Sequence, residues 1–93
     1  MIIGLLILDL HLPHARSLKD KRKELHRIRD RIRQKFNAAY AELDFQDTWQ
    51  RSRIGVVTLN SQKSVVEGQL QALLKDVETT FSGEIVVAEL RFC

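Results

Sequence analysis

An α+β domain in the order βαββαβ, with a four-stranded antiparallel sheet and two helices on one of its faces, is the architecture this sequence predicts. Three observations lead to it. Four short segments that are continuously apolar or alternate apolar and polar residues, each bounded by turn residues, read as strands. Two longer segments repeat apolar residues at helical spacing. At 93 residues the chain has room for about one domain with one modest core. Hydrophobic residues at 44% and charged residues at 29% sit with ordinary globular proteins, away from disordered, collagen-like or membrane chains.

The N-terminal run MIIGLLILDLHL has no basic stretch ahead of it and no small-residue cleavage site, and it is too short to cross a bilayer. It is expected to form a buried strand over residues 2 to 12, closed by Pro13, which cannot donate to a ladder. Ser17 is placed to cap the first helix, with Asp20 in the first turn where the helix dipole favours an acid. Leu18, Leu25, Ile28, Ile32 and Phe36 give that helix, residues 18 to 36, one apolar stripe. AAYAELDF, the polar turn QDTWQRS and RIGVVTLN then read as a hairpin over 37 to 60. Ser61 is the expected cap of a second helix whose apolar face carries Val65, Val66, Leu70, Leu73, Leu74 and Val77. Gly83, just past Phe81, suits its stop, and GEIVVAELRF closes the chain as a fourth strand. Two such strand-helix-strand halves pack as a sheet of order 4-1-3-2 with right-handed crossovers, the ferredoxin-like arrangement, in one domain over 1–93.

Strand parity assigns faces. Leu6, Leu8, Leu10 and Leu12 should meet the helices, which turns Ile3, Leu5, Ile7, Asp9 and His11 to the open face. Uniform alternation adds Tyr40 and Glu42 from the second strand and Ile85, Val87, Glu89 and Arg91 from the fourth. An open face that is half aliphatic suggests a partner surface, most simply a second copy of the chain in a dimer.

The net charge is only +3, but it is unevenly placed. Residues 16 to 35 hold ten basic and three acidic side chains, whereas the rest of the chain is acidic by four. The topology gathers loop 13 to 17, the start of the first helix and turn 45 to 52 at one end of the sheet. Guanidinium forks and ammonium groups bind phosphate, and an indole stacks on a base. Arg16, Lys19, Lys21, Arg22, Arg29, Trp49 and Arg51 are therefore the candidate nucleic-acid contacts. Lys21 lies near the apolar stripe, so its stem should run along the core while its ammonium leaves at the sheet end. The competing reading is a solvated charged helix with Trp49 covering the end of the core.

Asp9, His11 and His14, with Glu42 as a further carboxylate, make an incomplete metal set; ordinary polar pairing is expected there, with no metal or cofactor. Catalysis is not expected either. The loop Pro13-His14-Ala15-Arg16-Ser17 has an arginine but no phosphate-cradling glycine, and no nucleophile-base constellation or nucleotide-binding loop is present. RNA recognition on the sheet face fits poorly, because Tyr40 would be the lone aromatic among Asp9, Glu42 and Glu89. A single cysteine, Cys93, suits a reducing compartment, so a cytoplasmic location is expected.

The runs Leu12-Pro13, Ala15 to Arg22, Ala41-Glu42 with Asp44, Gln46-Asp47, Trp49-Gln50-Arg51 and Gly55-Val56 resemble the YlxP family of small bacterial proteins over nearly the whole chain. The resemblance implies a ferredoxin-like fold and brings neither an established activity nor catalytic residues. Its genes often neighbour those of translation and ribosome maturation, which favours RNA or a ribosomal particle as partner. The expectation is a non-enzymatic accessory protein that binds structured RNA or a ribosomal particle through its first helix and the adjacent hairpin turn. The alternative is a protein-protein interaction module that self-associates through the open sheet face and docks an acidic protein.

Overall fold

The structure is a computed structural model that describes residues 1–93. Its elements are β1 (Ile2–His11), α1 (Leu18–Lys35), β2 (Ala39–Asp44), β3 (Arg51–Asn60), α2 (Lys63–Thr80) and β4 (Glu84–Phe92). The sheet runs β2-β3-β1-β4 with every neighbouring pair antiparallel, which is the expected ferredoxin-like order read from the other edge. Both helices lie on one face. Leu6, Leu8 and Leu10 of β1 and Ile54 and Val56 of β3 meet Leu25, Ile28 and Ile32 of α1 and Val66, Leu70, Leu73 and Val77 of α2 in a single core. No helix is long and apolar enough to cross a membrane.

α1 starts as its residues dictate. The Ser17 hydroxyl accepts from the Asp20 amide at 3.1 Å, and the Asp20 carboxylate accepts from the Arg16 amide at 3.1 Å, so two otherwise free donors are satisfied. The start of α2 departs from expectation. Its N-cap is Gln62, without a side-chain bond, and the side chain of Asn60, rather than Ser61, accepts from the Gln62 amide at 3.0 Å.

Strand register corrects the assignment of faces, and each edge strand carries a bulge. Tyr40 and Glu42 pair with Val56 and Ile54, both buried, so they belong on the helix side rather than the open side. β4 shifts register between the pairs Ile7/Glu89 and Leu8/Val87, which leaves Ala88 as the extra residue. Ile85 and Val87 therefore join the helix side with Leu10 and Leu8, while Glu89 and Arg91 stay on the open face as expected. Parity carried through an inserted residue inverts, and neither bulge is marked by a glycine.

Gly83 is required for a different reason from helix stopping. Its φ is not positive, and a Cβ there would collide with the backbone oxygen of His11 and the ring of Phe81. A backbone atom inside the β1–β4 ladder cannot yield. Gly83→Ala is expected to lower unfolding stability by about 1 to 3 kcal/mol, the usual cost of overpacking; a midpoint in urea equal to that of the parent chain would show that the ladder relaxes freely.

Candidate nucleic-acid interface

α1 carries its positive charge on two flanks that face different surroundings. Arg27, Arg31 and Lys35 recur at a spacing of four and look toward α2. Arg31 grips Asp76 with two bonds of 2.7 and 3.0 Å, Lys35 reaches the same carboxylate at 3.2 Å, and Arg27 pairs with Glu24 and donates to the Thr80 carbonyl at 3.1 Å. This flank joins the two helices. The Asp76 carboxyl is held below its ordinary value by the bond from Arg31, with Lys35 adding to the effect.

On the opposite flank Arg22, His26, Arg29 and Arg33 recur at spacings of four, three and four, with Lys19 and Lys23 beside them. Arg29 pairs with Asp30, while Arg16, Lys19, Arg22, Lys23 and Arg33 have no carboxylate within ion-pair distance. The stripe from Lys19 to Arg33 is roughly 21 Å long at 1.5 Å per helical residue. It borders a shallow groove of about 240 Å³ between α1 and edge strand β2, lined by Arg22, Leu25, His26, Arg29, Tyr40 and Glu42. Burial, reinforced by Glu42, pushes the Tyr40 hydroxyl up to about 12, so it remains a neutral hydrogen-bonding group at the groove floor.

Lys21 behaves unlike its neighbours and corrects the expectation. The side chain is 1% exposed. Its ammonium does not leave at the sheet end; it donates to the Phe45 carbonyl at 2.5 Å and lies 3.1 Å from Glu42, whose carboxylate also accepts from the buried Ser52 hydroxyl at 2.7 Å. Phe45 has φ 65°, a left-handed conformation that side chains rarely adopt, and its carbonyl accepts from the Thr48 amide as well. Lys21 thus fixes the turn after β2 from below. Buried and held by these two acceptors, its ammonium is out of reach of a phosphate.

The turn does meet the start of α1, as the topology requires. The Gln50 side chain donates to the Pro13 and Ala15 carbonyls at 3.3 and 3.2 Å, and the backbone carbonyl of Gln50 accepts from the Leu12 amide at 2.9 Å. Trp49 stands 51% exposed in this turn and is not part of the core. Arg51 departs from the expected cluster. It pairs with His11 across the sheet, which sends its side chain to the face away from α1, where its guanidinium lies 4.0 Å from the centre of the Phe45 ring. Of the seven predicted contacts, then, Arg16, Lys19 and Arg22 are open cations, Arg29 lines the groove already paired, Trp49 is exposed nearby, Arg51 sits across the sheet and Lys21 is buried. His26 and Arg33 belong to the same flank and were legible from the spacing of four and three, since they continue the line through Arg22 and Arg29, with Lys23 one step further round the helix.

Asp9 is occupied by Arg53, with bonds of 2.6 and 3.0 Å that lower its pKa. His11 lies 4.0 Å from Glu84, and Glu42 is on the other face of the sheet. These side chains pair with different partners rather than with one another.

A family model described as "Protein of unknown function (DUF503)" matches residues 3–90. The chain is also similar to the uncharacterized protein YlxP of Bacillus subtilis (strain 168), 40% identical over 65 residues, which covers 70% of this chain and 71% of that protein.

Two outcomes follow from the ion pairs. Glu42→Ala leaves a buried ammonium with only a carbonyl and is expected to cost about 3 to 5 kcal/mol, whereas Lys21→Met keeps the volume and costs less, because Glu42 retains Ser52 and some solvent. Equal losses in urea denaturation would mean the pair is not the anchor. For Asp76 the native pKa lies below the ordinary 3.8, so the unfolded chain binds the proton more readily. Its contribution is complete above 3.8 and disappears as the pH falls through the native value. Asp76→Asn should therefore lower stability at neutral pH and flatten the acid limb; parallel profiles for the two chains would contradict this.

Proposed function

The chain belongs to the DUF503 family, and we propose that it is a non-enzymatic accessory protein that binds structured RNA or a ribosomal particle along the β2-side flank of α1. The observation that carries this reading is the division of charge on one helix. Acids of α1 and α2 pair all three cations of the flank that faces α2, while Lys19, Arg22, Lys23 and Arg33 on the rest of the helix, and Arg16 just before it, have no carboxylate partner. The fold uses the first flank to join the two helices and leaves the cations of the second without a structural partner. Guanidinium and ammonium groups spread over this length suit consecutive phosphates of a nucleic-acid backbone, with Trp49 near the N-terminal end available for stacking on an unpaired base. Phosphate contacts of this kind confer affinity and orientation rather than sequence selectivity.

Fluorescence anisotropy against ribosomal RNA at several salt concentrations tests the proposal. Affinity should fall with salt by a log-log slope of about −0.7 to −0.9 per phosphate contact. The triple variant Lys19→Glu/Arg22→Glu/Arg33→Glu should bind at least about tenfold more weakly with a slope shallower by about three, while Lys75→Glu on α2 serves as the charge control and changes little. Absence of binding at low salt, or equal losses in the variant and the control, would overturn it. An acidic protein is the other polyanion that fits this flank, and capture that survives nuclease treatment would point there instead.

A further inference from the structure

The sheet face turned away from the helices has nothing over it, and we propose that in solution it is covered by a second copy of the same chain, the two sheets packing face to face. Register sets its composition: Ile3 stands beside Leu59, Leu5 beside Val57 and Ile7 beside Gly55, over which the Leu43 side chain folds from β2. Leu59 is 53% exposed and Val86, which pairs with Asp9, is 61% exposed. Monomeric proteins seldom leave an aliphatic field of this kind in water.

Charge decides which partner suits it. In a two-fold dimer the same patch meets itself, so a patch with surplus charge of one sign repels its copy. The flank of α1 that holds the open cations fails this condition. The open face meets it far better, because its charges are of both signs: Arg53 is bonded to Asp9 and Arg91 to Glu89, while the guanidinium of Arg51 and the carboxylate of Glu84 flank His11 from β3 and β4. An identical face therefore encounters aliphatic side chains and charges of both signs, and a polyanion finds no field of one sign to follow. Size agrees. Four strands at about 4.8 Å spacing and β1 at about 3.3 Å per residue give a footprint of roughly 600 Å² per copy, or roughly 1,200 Å² for the pair, at the lower bound of specific interfaces. Packing of this kind leaves the two α1 flanks on opposite outer surfaces of the dimer, both free.

Sedimentation equilibrium of the full chain from low to high micromolar concentration should show monomer converting to dimer. Leu59→Glu and Val86→Glu, singly and together, place charge where the protomer is already half exposed, so the circular dichroism spectrum should not change while the dimer is lost. A parent chain that stays monomeric throughout overturns the proposal and leaves the face to a different partner. A dimer that persists in the double variant overturns it as well, by locating the contact elsewhere. RNA affinity is governed by α1, so failure of one test leaves the other standing.

Discussion

The ammonium of Lys21 is the point on which the local architecture turns. An amine on a helix stripe that otherwise carries Leu25, Ile28 and Ile32 is tolerable only if its charge is met, and three groups converge to meet it: the Glu42 carboxylate, the Phe45 carbonyl and, through Glu42, the Ser52 hydroxyl. Because Glu42 is on β2, Phe45 in the turn and Ser52 on β3, one side chain ties α1 to both strands of the hairpin. The left-handed backbone at Phe45 costs about 1 to 3 kcal/mol in isolation, and the two bonds to its carbonyl hold it in place. A bulge at Leu43 and this turn together set where Gln50 can reach the loop before α1.

That anchor also explains why charge on α1 divides as it does. With Lys21 inward, the helix is fixed in rotation, and residues at intervals of three and four fall either toward α2 or toward β2. Asp76 and the end of α2 supply partners on one side. The β2 side offers only Glu42, already committed to Lys21, and Tyr40, a neutral phenol. The open cations are thus a consequence of packing, since the acids of this chain lie on elements that the stripe does not face. Helix and sheet faces in turn acquire different characters: a cationic flank on one side of the molecule and a charge-matched aliphatic surface on the other.

The order and type of elements were legible because they rest on local signals. The cap at Ser17, the 3.6-residue period of α1, and the alternation in β1 and β3 all hold in the structure. The end of the sheet where loop and turn meet followed from topology alone. In the edge strands Tyr40, Glu42, Ile85 and Val87 were misread while Glu89 and Arg91 were not, because an inserted residue at Leu43 or Ala88 puts the two parts of a strand out of phase, so one alternation cannot describe both. Tyr40, which the sequence places on the open sheet, is placed beneath the arginines of α1 by its register with the buried Val56.

The ferredoxin-like frame, the capped and basic first helix and the excess of positive charge within it are all written in the linear chain, since each depends on residues within a few positions of one another. Tertiary structure alone decided which of those cations are free. Whether a lysine is buried, or an arginine neutralised, depends on carboxylates and carbonyls brought close from distant segments: Glu42 and Phe45 for Lys21, Asp76 for Arg31 and Lys35. Electrostatic pairing acts over a few ångströms in space and is indifferent to separation along the chain, so it is written only in the fold.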